Sequence, residues 1–172
     1  MLNGEHSGTG IWIKIKITLY LIKIETCFLM TDIHSKEVRS YNMSMVRGKN
    51  TQPEITVRKY LFNHGFRYRI NVLNLPGKPD IVLKKYETVI FINGCFWHGH
   101  TNCSRSALPK TRTAWWSDKI QRTKERDIQN YNQLQQLGWR VLVVWECQLR
   151  SKKQLETLDS LAQTIRTKYN KM

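Results

Sequence analysis

Residues 80–103 read DIVLKKYETVIFINGCFWHGHTNC, and this stretch decides which fold the chain can adopt. DIVLKKY and ETVIFI are apolar runs that predict two strands joined near Lys85-Tyr86. The second run leads directly into a loop in which cysteines and histidines alternate with glycines and aromatic residues. The sequence therefore predicts a sheet that carries a chemically specialised loop at the end of a strand.

Upstream of this stretch, the pattern becomes helical from Ser35. Thr51-Gln52-Pro53-Glu54 predicts a capping box with proline in the first turn, and that helix should run to about His64, where Gly65 ends it. FRYRINV, residues 66–72, predicts a further strand.

Downstream, a long helix is predicted over about residues 113–137, ended by Gly138. WRVLVVWE, residues 139–146, is an apolar run typical of a strand buried on both faces. Ser151 and Gln154 predict the cap of a last helix. The apolar stripe of that helix consists of Leu155, Leu158, Leu161 and Ile165. The order helix, three strands, helix, strand, helix predicts a mixed α/β sheet flanked by helices.

The charge of the chain points to a polyanionic partner. Its 172 residues include 28 Lys and Arg against 13 Asp and Glu, which gives a formal net charge of +15. The first 29 residues hold three lysines and two glutamates, so the excess belongs to the body of the protein. Nucleic acid is the first candidate for such a basic domain, and a charge that only maintains solubility is the alternative.

Residues 1–29 differ in pattern from the rest. Isoleucine and leucine alternate there with other residues, but Lys14, Lys16 and Lys23 interrupt the run, which excludes a membrane span. The charges also lie within the apolar stretch rather than before it, unlike those of a signal peptide. We interpret residues 1–29 as an upstream extension without a functional role and residues 30–172 as one domain.

The cysteine and histidine spacing predicts a metal site. Cys95, His100 and Cys103 form C-x₄-H-x₂-C, and Cys147 is available as the fourth ligand of a structural, tetrahedral zinc. His98 could replace His100, and unliganded buried cysteines are the alternative. Cysteines in such a pattern favour a reducing cytoplasm over a secreted, disulfide-bonded scaffold.

Four other residues are candidates for catalysis. His98, if free of the metal, could remove a proton from water, and Asp80 at a strand end could bind magnesium. Each has an ordinary explanation too. His98 can be an ordinary polar loop residue, and Asp80 lies in a turn. Glu54 belongs to a capping box, and Asp127 can form ion pairs on a helix. Basic residues on the long helix, together with Trp115-Trp116, favour contact with phosphates and bases.

Taken together, the motifs resemble those of very-short-patch repair (Vsr) endonucleases. Between about residues 36 and 150 they occur in the order seen in that family: RSYNMSMVRGKNTQPE, LPGKPDIVL, VIFINGCFWHGHTNC, PKTRTAWWSDKI, ERD and GWRVLVVWECQLR. The resemblance implies a restriction-endonuclease-like (PD-(D/E)XK-type) fold. It also implies Mg²⁺-dependent nicking of DNA 5′ to the thymine of a T·G mismatch, which arises by deamination of 5-methylcytosine.

The resemblance also implies roles for particular residues. Asp80 and the backbone carbonyl of Ile92 would bind Mg²⁺. His98 would be the general base, oriented by Asp127 and assisted by Glu54. The remaining implied sets are the zinc ligands Cys95, His100, Cys103 and Cys147 and an aromatic wedge of Phe96, Trp97 and Trp116. Some members have Thr-His where this chain has Ile92-Asn93, a change that a role for the Ile92 carbonyl tolerates.

The resemblance implies that the partner is double-stranded DNA with a T·G mismatch and that no membrane is involved. It also implies a monomer that acts in the cytoplasm and is functionally linked to a DNA cytosine-5 methyltransferase. Two other functions remain: a related zinc-containing endonuclease of other sequence specificity, and a non-catalytic, zinc-stabilised DNA-binding module. The combination of Asp80, His98 and Asp127 speaks against the binding module, because a binder needs neither an acid nor a base with its orienting partner.

Overall fold

A three-stranded sheet forms the centre of the larger of the two units of the chain, within the residues that the structure describes. The structure is a computed structural model that describes residues 35–46, 48–150 and 153–167. The strands are β1 (Ile81–Leu83), β2 (Thr88–Asn93) and β3 (Arg140–Trp145), in the order β1-β2-β3. β1 and β2 are antiparallel, whereas β2 and β3 are parallel. The mixed α/β architecture predicted from the sequence is therefore confirmed.

The helices were predicted well from their end signals. α1 (Lys36–Ser44) belongs to a separate unit, residues 1–45, and has no buried residue. α2 (Gln52–Asn63) and α3 (Thr113–Gln136) are followed by Gly65 and Gly138, each with a φ of 84°. Glycine adopts this left-handed conformation at little cost, which is why it ends both helices. The last helix is α4 (Lys153–Arg166).

The core lies on both faces of the sheet because side chains alternate along each strand. On one face, Ile81, Leu83 and Ile90 pack with buried residues of α2 and α4. On the other face, Val82, Val89 and Phe91 pack against Leu134 of α3. No helix of the described ranges is long and apolar enough to cross a membrane.

Two strand predictions were wrong. FRYRINV forms no strand; its only sheet-like contact is an isolated antiparallel bridge between Arg69 and Val82. The apolar run from Trp139 is a strand, but it is not buried on both faces, since only Val144 of β3 is fully buried. β3 lies at the edge of the sheet, and the central strand β2 takes the buried position instead.

The predicted stripe on the last helix is confirmed at three positions and wrong at one. Leu158, Leu161 and Ile165 are buried, but Leu155 is 63% exposed, and Ala162 joins the buried face in its place. Leu155 lies in the first turn of α4, before the helix meets the core. The cap predicted at Ser151 lies outside the described residues.

Candidate active site and metal centre

The topology brings the candidate residues that flank the strands to one end of the sheet. β2 and β3 run parallel with Asn93 opposite Trp145, so the carboxyl ends of both strands lie side by side. Cys95 and Cys147 each lie two residues beyond that pair. The antiparallel β1 begins at this same end of the sheet, which places Asp80 there as well.

The loop after β2 is held by its own backbone. The amide of His98 donates to the Gly94 carbonyl at 3.2 Å, and the amide of His100 donates to the Cys95 carbonyl at 2.9 Å. The Ser106 hydroxyl lies 2.6 Å from the His100 carbonyl oxygen, within reach of donating to it. Because of this local winding, the side chains of His98 and His100 meet different partners.

Cys95, His100, Cys103 and Cys147 come together as one cluster. Their ligand atoms all lie within 4.8 Å of one another, and Cys147 Sγ is 3.4 Å from His100 Nδ1. The His100 ring stacks on Trp145 with centroids 4.1 Å apart and nearly parallel planes. Three thiols and an imidazole could hold a metal ion, and this donor set suits tetrahedral coordination.

The protonation of the thiols depends on the same packing. Cys95 is fully buried, and this burial raises the pKa of its thiol to about 12. The pKa of Cys103 is lowered, first by a hydrogen bond from the backbone at Arg105. A coordinated thiol is deprotonated, so a metal ion would compensate for the burial of Cys95.

The second group of candidates lines an open cleft of about 660 Å³. Asp80 Oδ2 accepts a hydrogen bond from the backbone amide of Ile92 at 2.7 Å. Its other oxygen accepts no hydrogen bond from any described residue. Burial raises the pKa of Asp80, and the nearby carboxylate of Glu54 acts in the same direction, while the Ile92 amide opposes it.

Glu54 is a buried member of the cleft rather than half of a capping box. It is 5% exposed, and its carboxylate accepts hydrogen bonds from the Asn50 amide at 3.0 Å and the Thr51 hydroxyl at 2.8 Å. Arg58 Nη2 donates to it at 2.8 Å. The predicted capping box is therefore wrong in its bonding, because the Thr51 hydroxyl donates to Glu54 instead of capping the helix backbone.

His98 and Asp127 form the closest contact between candidate catalytic side chains. His98 Nδ1 lies 2.6 Å from Asp127 Oδ2, and both groups are mostly shielded from solvent. In the neutral ring, this contact assigns the proton to Nδ1 and leaves Nε2 as the acceptor. His98 also lines the cleft that contains Asp80.

The aromatic residues predicted to form a wedge are in mutual contact. Ring centroids lie 5.0 Å apart for Phe96 and Trp97 and 5.1 Å apart for Phe96 and Trp116. The side chains of all three are partly exposed, so they form a cluster at the surface. Trp115, which is 47% exposed, and Lys119, whose ammonium lies 4.9 Å from the Trp115 centroid, extend this group.

Three residues that contribute to the site were not identified from the sequence. Arg58 reaches Glu54 and the Asp80 carbonyl, at 3.5 Å, and Asn93 is buried and donates to the Tyr131 hydroxyl at 3.0 Å. Tyr131 stands four residues after Asp127 on α3, a helical spacing that could have identified it. The amide of Ile92 contacts Asp80, whereas the predicted role of its carbonyl stays a prediction.

Gly99 allows the loop to lie against α3. Its φ is 58°, and a Cβ at this position would lie 2.3 Å from Lys124 Cε and 2.6 Å from Ile120 Cγ2. A larger residue would therefore push the loop away from the helix that carries Asp127. Glycine at position 99 thus permits the close approach of the loop to α3.

Comparisons with known proteins relate the chain to one family. The family model described as DNA mismatch endonuclease Vsr matches residues 31–105. Type II nicking enzyme V.NmeAIP of Neisseria meningitidis is 51% identical over 123 residues, which cover 72% of this chain and 87% of that protein. DNA mismatch endonuclease Vsr of Escherichia coli is 44% identical over 126 residues, which cover 73% and 80%. Type II nicking enzyme V.XorIIP of Xanthomonas oryzae is 47% identical over 127 residues, which cover 74% and 93%.

Proposed function

The chain belongs to the Vsr family of DNA mismatch endonucleases, and we propose that it nicks one strand of duplex DNA 5′ to the thymine of a T·G mismatch. The mismatch would arise by deamination of 5-methylcytosine, and the nick would begin very-short-patch repair. The observation that carries the proposal is the 2.6 Å contact between His98 and Asp127 at the cleft that contains Asp80. A base and an acidic group with a free oxygen are what hydrolysis of a phosphodiester requires.

His98 is the proposed general base. With the proton held at Nδ1 by Asp127, Nε2 can accept a proton from the attacking water. Asp127 also stabilises the positive charge that the ring acquires after it takes up that proton. Asp127 is thus a positioning residue, and His98 is the group that moves the proton.

Asp80, with the carbonyl of Ile92, is the proposed Mg²⁺ site. The buried carboxylate of Asp80 keeps one oxygen free of hydrogen bonds from described residues, and hard oxygen ligands suit magnesium. When bound, Mg²⁺ neutralises charge that develops on the phosphate and lowers the pKa of water. Glu54 would assist by keeping the electrostatic environment of Asp80 negative, since it already raises the pKa of Asp80.

Zinc is the proposed occupant of the cluster of Cys95, His100, Cys103 and Cys147. The donor set and the mutual approach of the ligand atoms, within 4.8 Å, fit a closed tetrahedral site. Four protein ligands leave no position for water, so the role of this zinc would be structural. It would hold the loop that carries His98 against the end of β3.

Phe96, Trp97 and Trp116 are the proposed wedge that enters the base stack. Their partial exposure and mutual contacts support this role, because a wedge must be accessible and rigid. Inserting apolar side chains between bases costs a few kcal/mol per step, which contacts with the distorted DNA recover. A mismatched step is easier to distort, so the wedge would favour the T·G site.

The remaining parts of the proposal concern fold, domain and setting. We propose a PD-(D/E)XK-type fold for a functional domain of residues 30–172, with no role for residues 1–29. The protein would act as a monomer and be linked functionally to a DNA cytosine-5 methyltransferase. The three free cysteines of the cluster support a reducing, cytoplasmic setting.

One experiment tests this function against its alternatives. The protein is incubated with Mg²⁺ and end-labelled duplexes that differ only in one T·G or T·A pair. Nicking confined to the T·G strand is expected. Cleavage of both duplexes would instead indicate an endonuclease of other specificity, and binding without cleavage would indicate a DNA-binding module.

A further inference from the structure

Two arginines share one carboxylate at the rim of the cleft. Arg105 Nη2 lies 3.1 Å and Arg150 Nη2 lies 3.0 Å from the same atom, Glu146 Oε1. Arg105 follows the cysteine loop, whereas Glu146 and Arg150 follow β3. Glu146 also lines the cleft that contains Asp80 and His98. Two separate segments of the chain therefore bring their guanidinium groups side by side next to the candidate active site.

The charges of this group are not balanced. Two guanidinium groups face one carboxylate, which leaves one positive charge. The side chains of Arg105 and Arg150 are 39% and 59% exposed, and each uses one of its five N–H donors on Glu146. Exposed ion pairs contribute little to stability, and the second arginine adds still less to a carboxylate that is already paired. Such a pair of cations becomes favourable when an anion joins it.

We propose that Arg105 and Arg150, held together by Glu146, form a clamp for a backbone phosphate of the DNA that enters the cleft. The proposal rests on the proposed function, since the ligand is the substrate DNA. Guanidinium groups match phosphate oxygens with paired hydrogen bonds, and here two such groups are already oriented. A phosphate contact positions the duplex without reading its bases. The clamp therefore strengthens the binding of matched and mismatched DNA alike.

The clamp is tested by the salt dependence of DNA binding, without added Mg²⁺ so that no cleavage occurs. Each phosphate contact contributes about 0.9 to the slope of log K against log salt concentration. The double variant loses this one contact and should reduce the slope by about 0.9, and Arg105→Gln and Arg150→Gln should each reduce it by a part of that amount. T·G and T·A duplexes should lose affinity by the same factor.

Arg166→Gln is the matched control. Arg166 is exposed at the end of α4, and its substitution removes the same charge. Arg140, the first residue of β3, donates to the neighbouring Ile165 carbonyl at 3.0 Å, so Arg166 lies at the opposite end of the sheet from the cleft. The slope of this variant should equal that of the parent protein. A double variant of Arg105 and Arg150 whose slope does not differ from that of Arg166→Gln overturns the clamp.

Glu146→Ala tests whether Glu146 positions the two guanidinium groups, because the two possibilities predict opposite changes in DNA affinity. Loss of a negative charge alone should tighten DNA binding, because the protein becomes more positive. If Glu146 holds the two guanidinium groups in place, binding should weaken instead. Tighter binding would overturn the role of Glu146, and zinc content and melting temperature measured on each variant show whether the fold is retained.

The clamp and the mismatch function can fail separately. A reduced slope on duplex DNA, in a protein that nicks no T·G substrate, supports the clamp and contradicts the proposed function. T·G-specific nicking by the parent protein, with an unchanged slope in the double variant, supports the proposed function and contradicts the clamp.

Discussion

His98 and His100 stand two residues apart in one loop, yet they belong to two regions of opposite character. His100 points into a closed cluster in which four protein groups face one another and its ring is covered by Trp145. His98 points into an open cleft, where one ring nitrogen meets Asp127 and the other has no partner among described residues. In the closed region four protein groups face one another, whereas in the open region a ring nitrogen of His98 and an oxygen of Asp80 have no hydrogen-bond partner among the described residues.

Under the proposed function, a single loop serves stability and chemistry together. The closed cluster ties the loop to the end of β3, and the open cleft uses the loop as a rigid support for His98. Substitutions in the cluster should therefore act first on folding, and those in the cleft should act on the reaction while the fold survives.

The largest effect is expected from Cys147→Ala. Losing one of four ligands should release zinc and destabilise the fold severely, because metal binding and folding are coupled. Zinc content by elemental analysis and a thermal melt measure both effects. Cys27→Ala, outside the C-x₄-H-x₂-C pattern, is the control and should retain zinc. The absence of zinc from freshly purified parent protein would contradict the assignment of the cluster as a zinc site.

Asp80→Asn should abolish nicking and leave T·G binding intact. The amide can still accept the hydrogen bond from Ile92, but it is a poorer ligand for Mg²⁺. Nicking of a labelled T·G duplex and a gel-shift titration measure the two properties on one preparation. If binding disappears together with activity, Asp80 acts in docking or folding rather than in catalysis.

His98→Ala should reduce the nicking rate by at least about 10²-fold, the lower end of general-base contributions. Asp127→Asn should also reduce it, because the imidazole loses the partner that orients it. Single-turnover rates provide the comparison. His64→Ala serves as the control, since His64 stacks on Tyr60 at the end of α2, away from the cleft. A fully active His98→Ala protein would require a different base.

Trp97→Ala should weaken binding of the T·G duplex by about 1–3 kcal/mol, the contribution of one aromatic side chain stacked on a base. Discrimination between T·G and T·A duplexes should fall with it, and the melting temperature should change little because Trp97 is only half-buried. A core tryptophan would instead cost about 3–5 kcal/mol of stability. A large drop in melting temperature therefore argues against the wedge.

The smallest effect is a pH-dependent difference in stability between the parent protein and Asp80→Asn, measured without added Mg²⁺. Because burial raises the pKa of Asp80, the folded state favours the protonated carboxyl. This contribution to stability is fully present below the usual carboxyl pKa and is lost as pH rises through the raised value. The melting temperature of Asp80→Asn should thus exceed that of the parent by more at pH 7 than at the lowest pH at which zinc is retained. An advantage that does not grow with pH would contradict the raised pKa.

Much of the fold could be predicted because its signals are local. Gly65 and Gly138 end helices at the expected places, and the two apolar runs contain β1 and β2, although Lys84–Tyr86 of the first run forms a short 3-10 helix. FRYRINV has the composition of a strand, but only Arg69 pairs with Val82, because β1 is three residues long and offers little edge. Composition cannot reveal the length of a partner strand.

The candidate site was also predictable from the sequence only in part. Spacing alone predicted a cluster of cysteines and a histidine but left His98 and His100 as alternatives. The structure separates them, because the loop backbone turns one ring toward Cys147 and the other toward Asp127. Arg58 and Tyr131 were missed because an arginine and a tyrosine on helices have many ordinary roles.

By itself, the sequence determined the local features of this protein. These are its basic charge, its helix ends, its two adjoining strands, and a loop rich in aromatic residues and in side chains that can bind a metal. These properties depend on residues a few positions apart, so local propensity and spacing are sufficient to read them. Only the tertiary structure decided that β2 and β3 end side by side, which brings Cys147 to Cys95, and that α3 lies against Gly99, which brings Asp127 to His98. Such contacts join residues tens of positions apart, and strand register and helix packing, not spacing along the chain, determine whether they form.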